Sequence, residues 1–424
     1  MKYNKIYVWT IFLSTLLTIS CNNEYDSVFE ESASDRISKL FDNCSAALTN
    51  SDYGWDMQYF INSESKGYHL IMDFTGPSTV TIAGKNDITG NVYLESASSY
   101  ELNNSNGPIL VFDTYNDVLH PFADPDDLNL GGDFEFVIVN VTDSLIELKG
   151  KKNNATILMS KIDENLSHEN YLAQIEDMTG ILFSDGSPEY SLEINGTSSG
   201  YVFTDGSSSI FSVKNDADST TLNLPFIVTR SGFRLYQAEE ISGFGAQTFS
   251  LNADKSALVS NKSSGVKLIG PDNISGYFSG TSVDWVIDSS SYSTDVKALY
   301  EKIMNSVESK YPGASDIYLA LTGIPSENYF SLRLSFVYNR KTITADIYFT
   351  WQTNSSTGIT FTYTNTGNSA GISLVKTIDG YAGMAKLVNT AFNLETQYPL
   401  SIYNLTFTKS SSGNTWFNTK RQKM

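Results

Sequence analysis

Two neighbouring stretches near the C-terminal end alternate apolar and polar residues without interruption. Phe330, Leu332, Leu334, Phe336 and Tyr338 share one face, and after a turn at 339–341 so do Ile343, Ala345, Ile347, Phe349 and Trp351. Ser331, Arg333, Ser335 and Asn339, then Thr342, Thr344, Asp346 and Thr350, take the other face. A side-chain period of two is that of a pleated strand, and one apolar beside one polar face marks an antiparallel sheet packed on one side. The same period governs Trp55, Met57, Tyr59 and Ile61, and again Tyr68, Leu70, Met72 and Phe74. Further strands are expected near 79–83, 91–95, 109–115, 134–140, 144–149 and 155–161.

Between these runs the period changes to 3.6. Ile37, Leu40, Phe41, Cys44 and Leu48 form one stripe, with Ser32 or Ser34 as cap and Asp35 in the first turn. Cys44 on that stripe reads as a buried, inert thiol. A second helix is expected at 167–178, with Tyr171, Leu172, Ile175 and Met178 inward. A third runs from Ser293 or Thr294 to Pro312-Gly313, its stripe being Val296, Leu299, Ile303 and Val307. A last helix near 381–395 and a strand near 400–408 complete the pattern. The fold class is α+β: a β-rich chain of antiparallel sheets, each packed against one or two helices, in two to three modules.

The N-terminal segment is of another kind. Lys2 and Lys5 precede an apolar run from Ile6 to Ile19, too short for the ~20 residues that cross a bilayer as a helix, and Ser20 supplies a small residue before a cut. Cys21 at that cut, in Leu17-Thr18-Ile19-Ser20-Cys21, is similar to a bacterial lipoprotein signal, in which the thiol is acylated. The alternative is an ordinary signal peptide with an incidental cysteine. The expected organisation is a signal peptide at 1–20 and an acidic tether at 21–31. A helix-plus-sheet module at 32–162 and a second β-rich module at 163–269, read as a diverged repeat of the first, come next. An α+β domain at 270–424, set off by Gly270-Pro271-Asp272-Asn273, ends the chain.

Charge narrows the partners. Without residues 1–20 the 28 basic side chains fall to 26 against 47 acidic ones, a net charge of −21. Nucleic acid is excluded as a partner, because its binding needs Lys and Arg to neutralise phosphates. Anionic headgroups would repel the chain too, so membrane attachment has to come from the lipid on Cys21, where two or more acyl chains hold stably. With Cys21 acylated, Cys44 has no partner for a disulfide.

Few motifs bring chemistry. Gly196-Thr-Ser198-Ser-Gly200 has the string of a hydrolase nucleophile elbow, but it lies between alternating runs and reads as a hairpin turn. His168-Glu169 lacks the second histidine of a zinc-protease helix. His69 alternates within a strand and reads as structural or solvent-facing. Asp113, Asp117, His120, Asp124, Asp126, Asp127 and Asp133 crowd into about 20 residues. Of these, Asp113, Asp117, His120, Asp124 and Asp126 are the metal candidates. Counted from Asp124, a calcium loop would place Glu135 twelfth, but Leu128 takes a ligand position and Asn129 replaces the required glycine. No cofactor is therefore expected, a structural Ca²⁺ in another geometry being the alternative. Most aromatics fall on apolar faces, and Trp416-Phe417 in the polar tail is the expected exposed pair, a candidate for ligand binding.

One set of motifs resembles a known family. Glu31-Ser-Ala-Ser-Asp-Arg36, Gly54-Trp55 and Gly67-Tyr68 lead into Gly107-Pro-Ile-Leu-Val-Phe-Asp-Thr-Tyr-Asn116. Leu119-His120, Gly132-Asp-Phe-Glu-Phe-Val137 and Leu148-Lys-Gly-Lys-Lys152 follow. Together they are similar to a family of Bacteroidetes lipoproteins known as domain of unknown function 4302. The resemblance implies an outer-membrane, lipid-anchored protein that works beside a nutrient-uptake complex and faces the cell surface, the periplasmic face being the alternative. It implies no catalytic residues; His120 and Asp113 fall in its densest motif. The expected function is a non-enzymatic protein that binds a glycan, a peptide or a partner protein. The alternatives are a carboxylate-based hydrolase, with two acidic side chains converging in a pocket, and a structural or adhesive envelope protein.

Overall fold

The computed structural model describes residues 31–422, except 104–106, 125–129, 184–188, 205, 216, 218–219 and 325–327. The leader, Cys21 and the tether up to residue 30 lie outside the described residues. Within them the strands form three antiparallel barrels of eight strands each. The first runs from Trp55 to Lys161, the second from Tyr190 to Ile269 and the third from Asp284 to Arg421. Each closes by pairing its first strand with its last, with Trp55 opposite Lys161, Leu192 opposite Leu268 and Trp285 opposite Arg421.

The antiparallel, β-rich character is as the alternation implies. Closure is not legible in a period of two, which gives each residue a face and not a neighbour. At eight strands a barrel is just wide enough for side chains to fill it. Trp55, Met57, Tyr59, Leu70, Val80 and Phe112, all fully buried, pack the interior of the first barrel. The run Phe330, Leu332, Leu334 and Phe336 does so in the third.

Helix α1 (Ala33–Thr49) precedes the first barrel, its start capped by Ser32, whose hydroxyl accepts from the Asp35 amide at 3.1 Å. Cys44 and Leu48 are buried against the barrel, and burial pushes the Cys44 thiol up to about 12. Helix α2 (His168–Phe183) precedes the second barrel and buries Tyr171, Leu172, Ile175, Met178 and Leu182. It runs past the expected end at 178 because Leu182 continues the buried stripe and its carbonyl accepts from the Tyr190 hydroxyl.

Helix α3 (Ile274–Gly280) leads into the third barrel. Helix α4 (Thr294–Lys310) follows that barrel's first strand, and α5 (Ser369–Thr377) and α6 (Tyr381–Val388) follow its fifth. Two expectations change here. The strand expected at 91–95 lies at Leu94–Asn103. The helix expected over 381–395 ends at Val388, and Ala391–Glu395 is a strand. Ala391 and Leu394 mimic a helical spacing, but Phe392 and Leu394 are the buried pair, two apart.

Candidate functional site

The first barrel has one long connection, from Phe112 at the end of its fifth strand to Glu135 at the start of its sixth. Asn116 organises the beginning. Its side-chain oxygen accepts from the amides of Val118 and Leu119 at 3.0 and 3.2 Å, and its amide nitrogen donates to the Ser96 carbonyl at 2.9 Å. A buried amide so fully engaged fixes the loop as rigidly as a strand pairing would. Val118, Leu119 and Phe122 then enter the barrel core, Phe122 meeting Tyr59 and Tyr68 edge to face at 5.1 and 4.8 Å. The inner side of the loop is thus core.

Its outer side is an aromatic ledge. His120 lies between Tyr115 and Phe134, with ring centroids 5.2 and 5.0 Å away and planes tilted by 32° and 27°. Tyr115 is 56% exposed and Phe134 37%. His120 Nδ1 accepts from the Asn116 amide at 3.0 Å. Burial holds its pKa below the ordinary histidine value, so the ring is a neutral spacer between two exposed aromatics.

Phe134 also borders a cleft of about 400 Å³, shared with Gly132, Asp133, Glu135, Lys151 and Lys152. Gly132 packs so closely that a side chain there would run into the Tyr59 hydroxyl and the Phe122 carbonyl. Its neighbour Asp133 is buried, its carboxylate accepting from the amides of Lys152 and Asn153 at 3.0 and 3.1 Å. The Tyr59 hydroxyl accepts from the Asp133 amide at 2.7 Å, and Glu135 pairs with Lys151. The two motif segments 132–137 and 148–152 therefore form one wall, locked by Asp133.

The profile of domain of unknown function 4302 matches residues 25–253. The chain belongs to that family. The matched stretch takes in the whole first barrel, the ledge and most of the second barrel. No curated protein matches the chain. Among solved structures, a lipocalin-like protein from Bacteroides uniformis aligns over 27% of this chain and 99% of its own at 10% identity, with a TM-score of 0.19. That is too low to carry fold or function across.

Other sequence candidates scatter in this family member. Asp113 and Asp117 are exposed, and Asp117 accepts from the Ser96 hydroxyl at 3.1 Å. Asp124 is half-buried, while Asp126 and Asp127 lie outside the described residues. Among the described residues no three His, Cys, Asp or Glu converge as a metal site, and His120 Nδ1 is taken by the Asn116 amide. Trp416 and Phe417 are not an exposed pair. They begin a strand of the third barrel, where Phe417 is fully buried and stacks on Phe407 at 5.0 Å while Trp416 is half-buried. Ser198 sits at the hairpin after Asn195 and Gly196, as its context implies. Two carboxylates do meet, Asp284 and Asp346, but Arg333 bridges them at 2.9 and 2.8 Å. Tyr318, Thr322, Ser331 and Asn368 donate to the same two carboxylates.

A second charged cluster went unread in the sequence. Asp56, Gln58 and His69 point outward from the first barrel, yet they are buried where the second barrel covers them. His69 Nδ1 lies 2.7 Å from Asp56 and its Nε2 2.6 Å from the Val228 carbonyl, so each ring nitrogen faces an acceptor. Burial works against charge on His69, but the Asp56 carboxylate and the two hydrogen bonds outweigh it and raise the pKa above the ordinary value. Arg234, 6% exposed, donates to Gln58 and to the carbonyls of Leu235 and Tyr236, leaving Nη2 without a partner. Burial lowers its pKa to about 10. The signal was Phe60, an apolar residue on the same face as Asp56 and Gln58, which packs on Ile227 and Tyr236.

Proposed function

We propose that this chain is a non-enzymatic, surface-anchored binding protein whose ledge of Tyr115, His120 and Phe134 holds a glycan for an outer-membrane uptake complex. One observation carries the reading: two exposed rings, stiffened by a neutral histidine between them, stand beside a polar cleft on a loop anchored in the core. Sugar rings offer an apolar face to an aromatic and hydroxyls to its surroundings. Lys151, Lys152 and Glu135 supply donors and an acceptor next to Phe134. Few interactions in such a site need an induced change, which keeps the ordering cost of binding low. The ledge lies within the stretch that the family profile matches, and acylation of Cys21 would supply the anchor.

The test is affinity electrophoresis of the purified chain through gels containing defined polysaccharides, beside Tyr115→Ala and Phe134→Ala. Retardation lost in both variants, with unchanged circular dichroism, supports the ledge. Retardation equal to the parent's removes it from the account. Anchoring is read separately, by detergent extraction of native cells: Cys21→Ala should leave the membrane fraction. Co-purification of a large outer-membrane transporter would support the role in uptake.

A further inference from the structure

The junction of the first two barrels holds a second cleft, of about 440 Å³. Asp56, Glu164, Tyr171, Gln174, Thr229 and Arg230 line it. Its charges are matched to one another. Arg230 donates to both oxygens of Glu164 at 2.9 and 3.1 Å and to the Gln174 carbonyl oxygen at 2.9 Å. Its guanidinium lies 4.6 Å over the Tyr171 ring. Asp56 is held by His69 on one oxygen and by the Tyr171 hydroxyl, at 3.1 Å, on the other. What remains for a ligand is neutral hydrogen-bonding capacity. The Thr229 hydroxyl is buried without a partner, and Gln174 has an amide nitrogen beyond the oxygen engaged by Arg230.

We propose that this cleft is a second binding site, for a neutral polyhydroxylated molecule the size of a mono- or disaccharide. Among the residues that line the cleft a carboxylate or an ammonium meets no unpaired opposite charge, Arg234 standing outside the lining and bonded to Gln58, and it would have to break an existing pair, a cost that a hydroxyl avoids. A hydroxyl both donates and accepts, which suits the Thr229 oxygen, the Gln174 amide and the remaining lone pairs of Asp56 and Glu164. The volume falls within the range of small-molecule sites. An unpaired buried hydroxyl costs stability when nothing fills its place, so a ligand that bonds it gains what water-exposed contacts would not give. Arg230 already covers the Tyr171 ring, so recognition here rests on hydrogen bonds, whereas the ledge works by stacking.

The experiment is calorimetric titration of the full chain carrying Tyr115→Ala and Phe134→Ala, which removes the ledge. The probes are glucose, galactose, mannose and N-acetylglucosamine, with glucuronate as the charged control. Binding of at least one neutral sugar is expected, weakened about tenfold by Thr229→Val or Gln174→Ala, the loss of one good hydrogen bond. Thr229→Val keeps the shape of the side chain, and a melting midpoint no lower than the parent's shows that the fold is intact. The proposal is overturned if none of the four sugars binds, if glucuronate binds more tightly than all of them, or if Thr229→Val binds like its parent. Failure of the ledge shows instead as wild-type polysaccharide retardation in Tyr115→Ala, which leaves this outcome untouched.

Discussion

The same residue type does opposite things on the outer walls of two barrels. In the third, Arg333 forks between Asp284 and Asp346, and Tyr318, Thr322, Ser331 and Asn368 complete both carboxylates. Burial would lower its pKa, but the two carboxylates outweigh that and raise it. At the junction of the first two barrels, Arg234 has an amide and two carbonyls as partners and one nitrogen idle, and burial prevails. His69 and Asp56 are each other's partner at 2.7 Å, so the Arg234 charge is the one without a carboxylate in hydrogen-bond contact. Complete pairing makes a clasp, in this case one that seats α5 through Asn368. Incomplete pairing leaves groups that titrate or accept a ligand.

The largest expected effect breaks the complete cluster. Arg333→Met should cost about 3 kcal/mol in denaturant unfolding at neutral pH, because the buried Asp346 and half-buried Asp284 carboxylates lose their shared cation. A loss under about 1 kcal/mol would show that the clasp is ornamental. Arg234→Met should cost about 1 kcal/mol or less, since the charge it removes has no carboxylate in contact. Equal losses at Arg333 and Arg234 would erase the contrast drawn between them.

The third prediction concerns pH. His69 has its pKa raised on folding, so its contribution is complete below the unfolded-state value of about 6.5 and is lost as pH rises through the folded value. Unfolding midpoints should therefore fall across that alkaline-going window, and Asp56→Asn should flatten the slope. Arg234→Met should move the window further upward, because its charge opposes that of the imidazolium. A midpoint that rises over the same window would reverse the assignment. The smallest effect belongs to the ledge: Tyr115→Ala or Phe134→Ala should change stability by less than about 0.5 kcal/mol, as exposed positions do.

Much of this was legible in the sequence, for local reasons. The α1 stripe, the long hairpin Tyr329–Tyr338 with Lys341–Thr353, and the turn at Gly196 follow from spacing alone, and of the two caps that spacing allows, Ser32 and Ser34, the fold uses Ser32. The ledge was half legible. His120 stood in the densest motif, but its neighbours Tyr115 and Phe134 are 19 residues apart and only the folded loop brings them to one ring. The junction was not legible. His69 and Val228 are separated by 159 residues, and polar residues at alternate strand positions look like a solvent face whatever later covers them. Phe417 shows the converse, since a polar tail drew it as exposed until its pairing with the strand Asn404–Lys409 placed it in the core.

Gly67 has no positive φ, yet a side chain there would strike Ile227 and the Phe60 ring. Barrel closure has a wider consequence. A finished ring offers no free strand margin, so nothing on it can recruit the backbone of another chain. Before completion the opposite holds, and the partners that complete each ring are far apart in the chain, Trp55 waiting for Lys161 and Trp285 for Arg421. Such distant pairings form slowly. A chain cut after Lys409 would lack the strand Trp416–Arg421, and the strands beginning at Asp284 and Asn404 would each present an unsatisfied row of amides and carbonyls to any neighbour. The last strand is therefore also the seal that keeps the third barrel from aggregating.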